Sequence, residues 1–484
     1  MKLQSRTLQV LDEAEMKAIY ESALRVWARV PLRCQGTDEF NDYLSDFGCV
    51  IDGDCVTFPK PVRDKVLARI AERREQAGLW RPAEVDSDRI TCSASGQALY
   101  FCEIDTDTLR PATAQDLADW SRLCDAVPNL QRAHPTFIPQ DVPAGSCDVH
   151  AFATIMLNSS RPWRVSAYSA DMIPYLIELQ AIWSGSVDAV KQDPIFATKC
   201  WYNSPFMITR ENIEIAMAAR EALEIGFQIS TMPVAGIAVP ATLAGALVAI
   251  TAEAFTCNAI TLAIDDRLCG MSAGALTFDM KAGIHTQIGP DVQLLRLGVA
   301  QMGAYMFGGS YTAAGTPTTM AKIPGAQSTM EKTIEAMWAA CAGIRSFSSL
   351  GILACADIGS PVQLMLDLEL MSYLERLVKG VTVDEERLAE EVICEVAPTG
   401  ARFIDQRHTV DHYREELWIP QLMDRRVPMA WAADPTTMVD DARKKARSLL
   451  ADAPNLCPLT DAQKAEVKRI VAEADKHVAS TRRV

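Results

Sequence analysis

Apolar residues recur every three or four positions near the start of the chain, a pattern typical of amphipathic helices. One such run follows Asp12, and a second covers Val62–Arg74. Between them, two short apolar runs on either side of Asp52-Gly53 predict a β-hairpin. Short alternating runs from Thr91 to Arg110 predict further strands. We therefore expect residues 1–130 to form an N-terminal extension of helices and short strands.

The middle of the chain changes to short apolar runs that alternate with longer helical patterns, the order expected of βα units. The predicted strands are Arg132–Ile138, Trp163–Tyr168, Thr198–Asn203, Phe227–Thr231, Gly270–Leu276, Ala304–Ser310, Gly343–Ser348 and Arg402–Ile404. Helices are predicted between them over Ile173–Trp183, Glu211–Gly226, Ala241–Ile264, Asp291–Met302, Thr329–Ala342 and Pro361–Lys379.

Eight strands with about one helix between neighbours favour an α/β fold of the (β/α)8 TIM-barrel type over a doubly wound sheet. We place this barrel at residues 131–410. After His408 the pattern becomes helical, so residues 411–484 are expected to form a C-terminal helical extension.

The composition argues against several classes of protein. The 484 residues carry 47 Lys and Arg against 62 Asp and Glu, and the net charge of −15 argues against nucleic acid, which needs a basic contact face. No apolar run reaches the roughly 18 residues of a membrane span, because Gly236, Pro240 and Gly245 interrupt the longest one. The start of the chain lacks the apolar region of a secretory signal. We therefore expect a cytoplasmic protein with no membrane partner.

The fourteen cysteines and six histidines do not have the spacing of a metal site. No Cys-x-x-Cys pair occurs, and only His408 and His412 share a helical i, i+4 spacing, without the Glu of a zinc-protease motif between them. We expect no bound metal and predict that most cysteines are small buried hydrophobic residues.

In a TIM barrel the active site lies at the C-terminal ends of the strands. The residues that follow the predicted strands are mostly aromatic or carry hydroxyl groups, with one carboxylate and no histidine or lysine directly at a strand end. Such a site suits a quaternary ammonium ligand held by cation–π contacts, although aromatic residues at barrel rims also simply pack. The predicted substrate-binding residues of this kind are Tyr168, Trp201, Tyr202, Asn203, Phe206, Phe278, Asp279, Tyr311 and Phe347.

Several further residues have two interpretations. Gly308-Gly309 could bring backbone close to a ligand or make a tight turn. Asp279 could face an ammonium or cap the next turn. Lys199 could form a Schiff base or a structural salt bridge. His408, at the end of the last predicted strand, is the histidine best placed to line a site, and His134 is the next.

Several segments of the chain resemble the trimethylamine methyltransferase superfamily, most of whose members lack pyrrolysine. The matching segments follow one another in the family's order from about residue 10 to residue 460. They are Arg110–Leu117, Asn203–Phe206, Met232–Gly236 with Pro240–Leu247, Phe278–Gly283, Gly325–Lys332, and His408-Thr409 with Arg414–Pro420.

The resemblance implies a (β/α)8 barrel that moves a methyl group from a methylamine or betaine to the cobalamin of a separate corrinoid protein. A quaternary ammonium already carries its positive charge and leaves as a neutral amine, so such an enzyme needs orientation and desolvation rather than an acid or a base. We therefore name no catalytic side chain. We assign Gly308, Gly309 and Gln327 to contact with the corrinoid.

The sequence departs from its relatives at two places. The region around Ala314–Gln327, where pyrrolysine is expected in trimethylamine-using members, contains standard residues only, which argues against trimethylamine as substrate. Betaine-type relatives often end the seventh strand in a His-Asp pair, and here those positions are Ser348 and Ser349. Ser348 then implies a different acid contact or a different substrate. Arg345 could supply a charge there or form a buried structural ion pair.

The leading hypothesis is a methyltransferase that acts on a quaternary amine such as a betaine, with a corrinoid protein as partner and methyl acceptor. One alternative is a barrel that binds a cationic solute or a corrinoid protein without catalysis. Another is an aldolase or lyase that uses Lys199. Large barrels often associate, and the C-terminal helices could supply a surface for a homo-oligomer, but the sequence does not determine the oligomeric state.

Overall fold

The computed structural model describes residues 8–82, 89–128, 130–162, 164–311 and 315–481. These residues form a mixed structure of helices and short strands, in which more than half of the chain is helical and the strands belong to several small sheets. The strands form no closed barrel within these ranges. The architecture is therefore mixed α/β, and the complete (β/α)8 ring predicted from the sequence is not confirmed.

The first helices and the hairpin predicted from the sequence are confirmed. The first helix begins at a capping box, in which the Glu15 amide donates to Asp12 Oδ1 at 2.8 Å and the Asp12 amide donates to Glu15 Oε2 at 2.8 Å. The second helix ends at Gly48, whose φ of 103° suits a residue without a side chain. The elements are α1 Glu13–Trp27, β1 Leu32–Cys34, α2 Asp38–Phe47, β2 Val50–Asp52, β3 Cys55–Thr57, α3 Lys60–Ala77 and β4 Arg81–Pro82.

The central part of the chain alternates short strands with longer helices. Its first half contains β5 Thr91–Ala94, β6 Tyr100–Cys102, β7 Leu109–Pro111, α4 Ala114–Ala126, β8 Leu130–Ala133, α5 Cys147–Asn158, β9 Val165–Ser166, α6 Ile173–Ser184, α7 Val187–Gln192 and β10 Phe196–Ala197. Its second half contains β11 Cys200–Tyr202, β12 Met207–Ile208, α8 Arg210–Leu223, β13 Ile229–Thr231, β14 Val234–Ala235, α9 Leu243–Asp265, β15 Leu276–Asp279, β16 Ile284–Thr286, α10 Pro290–Phe307, β17 Ser310–Tyr311, α11 Ala326–Cys341, β18 Ser346–Phe347, β19 Ile352–Leu353, β20 Ile358–Gly359 and α12 Pro361–Lys379.

Several neighbouring strands of this central part pair in parallel, as expected where a helix connects one strand to the next. β5 lies between β18 and β8, and Thr91 pairs with Ser346. β9 pairs with β10, β11 pairs with β13, and a parallel bridge joins Thr231 to Ala273 just before β15. This order brings the C-terminal ends of β18, β5 and β8 next to one another.

Three of the predicted strands are wrong. Of Gly270–Leu276, only Leu276 belongs to a strand, β15. Arg402–Ile404 is not a strand, because Phe403–Asp405 forms a short 3-10 helix in which Phe403 and Ile404 are exposed. The strand that lies between β18 and β8 is β5, which pairs in parallel with both of them and which the sequence analysis had placed outside the barrel. Most of Ala304–Ser310 is also not a strand, because residues up to Phe307 belong to α10. A short apolar run in a buried helix cannot be distinguished from a buried strand by its pattern alone.

The long helix α9 forms the centre of one part of the core. It is apolar on all sides, as expected for a helix that is buried all round. Trp27 of α1 stacks on Phe255 with ring centroids 5.2 Å apart, and Tyr20 contacts the same ring edge-on. Among the described residues, α9 is the one helix long and apolar enough to cross a membrane, and 83% of its apolar window is buried inside the protein.

The C-terminal helices fall into two groups. α17 Met438–Asp452 and α18 Asp461–Thr481 pack on the central part, where Arg443 pairs with Asp107 and Asp475 accepts a hydrogen bond from Ser146 Oγ at 2.6 Å. The helices between α12 and α17 bury very little. They are α13 Glu385–Leu388, α14 Glu390–Val396, α15 Arg407–Glu416 and α16 Pro428–Ala433.

Candidate functional site

A cavity of about 280 Å³ opens where the parallel strands β5, β8, β9 and β18 end. Each strand contributes residues that lie at or just beyond its C-terminal end. This is the edge at which the active sites of barrel enzymes occur. The lining residues are Ser95, Gly96, Gln97, His134, Pro135, Arg164, Ser166, Tyr168, Ser349 and Ala356.

The wall of the cavity depends on close packing of two loops against β5. The Thr136 hydroxyl donates to the carbonyl oxygen of Ala94 and so ties the segment after β8 to the end of β5. A Cβ atom added at Gly96 would lie 2.5 Å from Ile352 Cδ1 and 3.4 Å from the Thr136 carbonyl oxygen. Glycine at this position therefore lets the chain pass between β19 and the loop after β8.

The charged groups at the cavity are basic. Arg164 lines it, and no ion pair to Arg164 occurs in the part of the chain that the structure describes. Burial, together with the charges of Arg132 and Arg164, lowers the pKa of His134 to about 4, so its imidazole is neutral at neutral pH. Burial and Arg164 also lower the pKa of Lys199. Since the described lining residues include no Asp or Glu, the cavity favours an anionic group beside Arg164.

Tyr168 presents the one aromatic side chain among the cavity's described lining residues. Its amide donates to Asp148 Oδ2 at 2.9 Å, and Asp148 Oδ1 accepts from the Val149 amide at 2.9 Å. Asp148 is buried, and that burial raises the pKa of its carboxyl group. The carboxyl group of Asp148 therefore fixes the backbone of Tyr168, whose side chain lines the cavity.

A buried ion pair supports the turn that carries Ser349. Ser349 has a φ of 62°, and its carbonyl oxygen accepts from Lys332 Nζ at 3.2 Å. Lys332 Nζ also donates to Asp367 Oδ2 at 2.5 Å, and the same oxygen accepts from the Gly351 amide at 2.7 Å. Gln363 Nε2 donates to Asp367 Oδ1 at 2.7 Å. Three donors on one carboxylate thus hold the end of β18 in place.

The structure places the other aromatic residues named from the sequence away from this cavity. Tyr202, Phe206 and Phe347 are buried in the hydrophobic core, and Tyr311 is buried against Trp80 with ring centroids 6.2 Å apart. Trp201 is exposed on β11, and Phe278 is half-buried on β15 opposite His285. Of the predicted set of aromatic residues, the structure brings Tyr168 to the cavity and does not bring the others to it.

The predicted polar residues make local contacts. Asp279 Oδ1 accepts from the Lys281 and Ala282 amides at 2.8 and 3.0 Å, which is the turn-capping arrangement. Asn203 exchanges two backbone hydrogen bonds with Met207. Arg345 Nη1 donates to the carbonyl oxygens of Ala340 and Ile344 at the end of α11, and burial lowers its pKa.

Ser348, just after β18, contacts the loop that follows β17. Gln327 lies in the first turn of α11, where that loop ends. The Ser348 amide donates to the Gly315 carbonyl oxygen at 2.9 Å, and its hydroxyl lies 3.4 Å from Thr316 Oγ1. Gln327 Nε2 donates to Glu331 Oε1 at 2.9 Å, while Glu331 Oε2 accepts from the Met320 amide at 2.8 Å. Glu331 therefore fixes this loop to α11. The part of the loop at residues 312–314 lies outside the described residues.

Gly308, Gly309 and His408 lie elsewhere. A Cβ atom at Gly308 would lie 2.6 Å from the Gly78 carbonyl oxygen, so this glycine allows close packing against the end of α3. The Gly309 amide donates to that same oxygen at 3.3 Å. His408 lies in α15, and its Nε2 is 3.2 Å from the Glu386 carbonyl oxygen.

No group of three or more His, Cys, Asp or Glu side chains that could hold a metal ion occurs in the described ranges. All fourteen cysteines are free thiols, and nine of them are buried. The prediction that most cysteines are buried residues without a disulfide partner is confirmed. The free thiols that lie deepest, such as Cys200 and Cys257, have a pKa raised by burial, which makes them poor nucleophiles.

The sequence interpretation did not single out Arg164, Ser95 or Gln97. Arg164 stands inside the predicted strand Trp163–Tyr168, where its charge in an otherwise apolar run was a usable signal. Ser95-Gly96-Gln97 follows the four-residue strand β5, which the sequence shows only as part of a longer alternating stretch. His134 was named as a secondary candidate and Ser349 as a departure from relatives, and both line the cavity.

Comparison with known proteins defines the class to which this fold and cavity belong. The family model described as "Trimethylamine methyltransferase (MTTB)" matches residues 1–478, which is nearly the whole chain. The protein is a methyltransferase. It belongs to the trimethylamine methyltransferase (MTTB) family, so the resemblance read from the sequence segments is confirmed.

Individual relatives are distant but cover almost the full length. A trimethylamine methyltransferase of Desulfitobacterium hafniense is 26% identical over 473 residues, 96% of this chain and 93% of its own length. A glycine betaine methyltransferase from another strain of that species is 26% identical over 488 residues, 99% of this chain and 96% of its own. A trimethylamine methyltransferase of Methanosarcina thermophila is 25% identical over 439 residues, 88% of this chain and 89% of its own.

Proposed function

We propose that this protein transfers a methyl group from a betaine-type quaternary amine, which also carries a carboxylate, to the corrinoid cobalt of a partner protein. The observation that supports this proposal is that Arg164 and Tyr168 line the same cavity, whose described lining residues include no carboxylate. A guanidinium holds a carboxylate group, and an aromatic face holds an ammonium group. A betaine has both groups in one small molecule.

The reaction requires little from the protein's own acids and bases. The N–CH3 bond breaks with its electron pair remaining on nitrogen, and the reduced cobalt of the partner supplies both electrons of the new bond to carbon. The ammonium becomes a neutral tertiary amine, so no proton is taken up or released. Arg164 and Tyr168 bind and orient the substrate.

The charges at the cavity favour a betaine over trimethylamine. A protonated simple amine, like a quaternary ammonium, leaves as a neutral amine, so proton transfer does not separate the two kinds of substrate. A cation without a carboxylate is repelled by Arg164, which lines the cavity, whereas the carboxylate of a betaine cancels that repulsion.

We further propose that the parallel strands surround one axis as a (β/α)8 barrel. The segments in order are β5, β8, β9, β10 with β11, β13, β15, β17 and β18. The pairing of β5 with both β8 and β18 supports this arrangement, and so does the 2.9 Å hydrogen bond from Ser348 to Gly315 beyond β17. The barrel would begin near residue 90 rather than 131. The unpaired cysteines support a reducing, cytoplasmic setting.

A methyl-transfer assay with a panel of substrates tests the proposed activity. The protein is incubated anaerobically with free cob(I)alamin and with glycine betaine, longer betaines, carnitine, tetramethylammonium or trimethylamine, and methylcobalamin is measured by absorbance. We expect methylcobalamin from at least one betaine and less from the two compounds without a carboxylate. Binding of betaine by calorimetry without any methylcobalamin would favour a non-catalytic solute-binding barrel instead.

The variant Arg164→Gln tests the carboxylate contact. We expect KM for the betaine to rise at least tenfold, because a charge-assisted contact is worth about 1.5–3 kcal/mol. The weak activity with tetramethylammonium should not fall, since that compound has no carboxylate. The exposed Arg73→Gln is a matched control that should leave both activities unchanged. Equal losses with both substrates would contradict a carboxylate contact.

A further inference from the structure

Ser166 lies between the two residues that are proposed to hold the charged ends of the substrate. Arg164, Ser166 and Tyr168 occupy every second position of one segment, and all three line the cavity. Arg164 has a φ of 42°, a left-handed conformation that residues other than glycine rarely adopt and that recurs at ligand-binding sites. A ligand with its carboxylate at Arg164 and its ammonium at Tyr168 therefore presents the middle of its chain to Ser166.

The spacing along this segment favours a substrate longer than glycine betaine. Tyr168 follows Arg164 by four positions, so at about 3.3 Å per residue their Cα atoms lie up to ~13 Å apart. Glycine betaine has a single carbon between its nitrogen and its carboxylate, and a betaine with three carbons there bridges the two side chains better. The cavity volume of about 280 Å³ is close to the lower end of the ~300–1,000 Å³ typical of ligand pockets, which suits one small ligand.

Ser166 and Gln97 form a pair of hydrogen-bonding groups at the cavity. Gln97 Nε2 donates to Ser166 Oγ at 3.3 Å. Ser166 belongs to β9 and Gln97 follows β5, so the two side chains reach the cavity from different strands. This is the one side-chain hydrogen bond that either residue makes within the part of the chain that the structure describes. The Ser166 hydroxyl hydrogen and the Gln97 Oε1 atom can therefore bond to a ligand.

We propose that Ser166 and Gln97 select betaines that carry a hydroxyl group on the chain between the ammonium and the carboxylate. The inference rests on the proposed function, because it takes the contacts of Arg164 and Tyr168 as the two ends of the substrate. Ser166 donates to the substrate hydroxyl oxygen, and that hydroxyl donates to Gln97 Oε1. A methylene group at the same place leaves both polar side chains without a partner, which costs more than the hydrogen bonds contribute.

The same contacts distinguish the two mirror-image forms of such a substrate. Once Arg164 holds the carboxylate and Tyr168 holds the ammonium, the hydroxyl of one enantiomer points toward Ser166 and Gln97, and the hydroxyl of the other points away from them. The enantiomers have the same size, charge and intrinsic reactivity. A difference between them therefore reports the placement of the hydroxyl and nothing else.

Methyl transfer to cob(I)alamin from L-carnitine, D-carnitine and γ-butyrobetaine, which has the same chain without the hydroxyl, tests the selection. We expect kcat/KM for one carnitine enantiomer to exceed that of the other two compounds by about tenfold. Calorimetry should show the same preference in the dissociation constants, so the inference is tested even without turnover. Turnover or binding of γ-butyrobetaine equal to that of both carnitines, or no binding of either carnitine, overturns the inference. Methyl transfer from any betaine still supports the proposed function in that case.

The variants Ser166→Ala and Gln97→Met test the two side chains. In each, the ratio of kcat/KM for the preferred carnitine to that for γ-butyrobetaine should fall by about tenfold, because only the carnitine loses a hydrogen bond. The matched controls Ser45→Ala and Gln115→Met change exposed residues of α2 and α4 and should retain the wild-type ratio. Equal losses with both substrates would show that these side chains support the fold and do not contact a substrate hydroxyl.

Discussion

Helix α11 carries two buried ion pairs about one turn apart, and they differ in how fully their polar atoms are bonded. Lys332 and Asp367 are 2.5 Å apart, and Asp367 accepts further hydrogen bonds from the Gly351 amide and from Gln363. Glu335 lies 3.4 Å from Arg296, and its Oε1 atom has no hydrogen-bond partner among the described residues.

The comparison shows that burial alone does not decide what an ion pair does. The free energy of a buried pair depends on whether additional hydrogen bonds replace the lost water. Asp367 has these bonds, and its pair holds the turn that carries Ser349 into the cavity. Glu335 lacks a hydrogen bond at Oε1, and burial raises the pKa of its carboxyl group to about 7. The first pair is therefore structural, and the second can change its charge near neutral pH.

The largest expected effect is that of Lys332→Met. The substitution leaves Asp367 as an uncompensated buried charge, so the free energy of unfolding should fall by about 3–5 kcal/mol in urea denaturation. The control is Lys476→Met, which replaces an exposed lysine of α18 and should change the free energy of unfolding by less than about 0.5 kcal/mol. The Gly351 amide should also exchange faster in the Lys332 variant. Retained protection of Gly351 would mean that the pair does not hold the turn.

A smaller effect is expected from the pH dependence of Glu335. Its folded pKa of about 7 lies above the ordinary value of 4.5, so the folded state retains a proton that the unfolded state has lost. The stabilisation from this group is fully present below pH 4.5 and is lost as the pH rises through about 7. Across that window the wild-type protein should lose up to about 3 kcal/mol from this group.

The variant Glu335→Gln should flatten this part of the curve of unfolding free energy against pH, measured by urea denaturation between the two values. Glu211→Gln, which removes a carboxylate from the exposed first turn of α8, should leave the slope unchanged. If the unfolding free energy of Glu335→Gln falls with pH as steeply as that of the wild-type protein, another group is responsible for the titration.

The smallest effect concerns the turn that the first pair supports. Ser349 has a φ of 62°, a conformation that β-branched residues rarely adopt. Ser349→Val should therefore lower the free energy of unfolding by about 1–2 kcal/mol, whereas Ser349→Gly should be near neutral. Urea denaturation of the two variants measures the difference. Equal stabilities would show that the backbone conformation at this position is not restrictive.

Local features of the fold were predictable from the sequence. The capping box at Asp12 and the Asp52-Gly53 hairpin are confirmed because their hydrogen bonds join residues a few positions apart. The strand β5 was harder to recognise, because it is four residues long and its partner β18 lies far away in the chain. The error at Arg402–Ile404 has the same cause, since a three-residue apolar run carries no information about its neighbours.

The candidate site was predictable in its location but less so in its composition. The cavity lies at strand ends, as the sequence predicted, and Tyr168 and His134 line it. The predicted aromatic residues Tyr202, Phe206 and Phe347 lie instead in the core. Whether an aromatic residue after a strand faces a ligand or the core depends on the packing of the following loop, which a linear pattern does not show.

By itself, the sequence determined the family of this protein, most of its helices and the absence of paired cysteine motifs, because these depend on residue identity and short-range spacing. The tertiary structure decided which strand lies beside which, and therefore which side chains meet. Thr91 and Arg345, 254 positions apart, are joined by a backbone hydrogen bond. Such a contact depends on the packing of every helix between them. For that reason Arg164, Tyr168 and Ser349 form one cavity only in the folded chain.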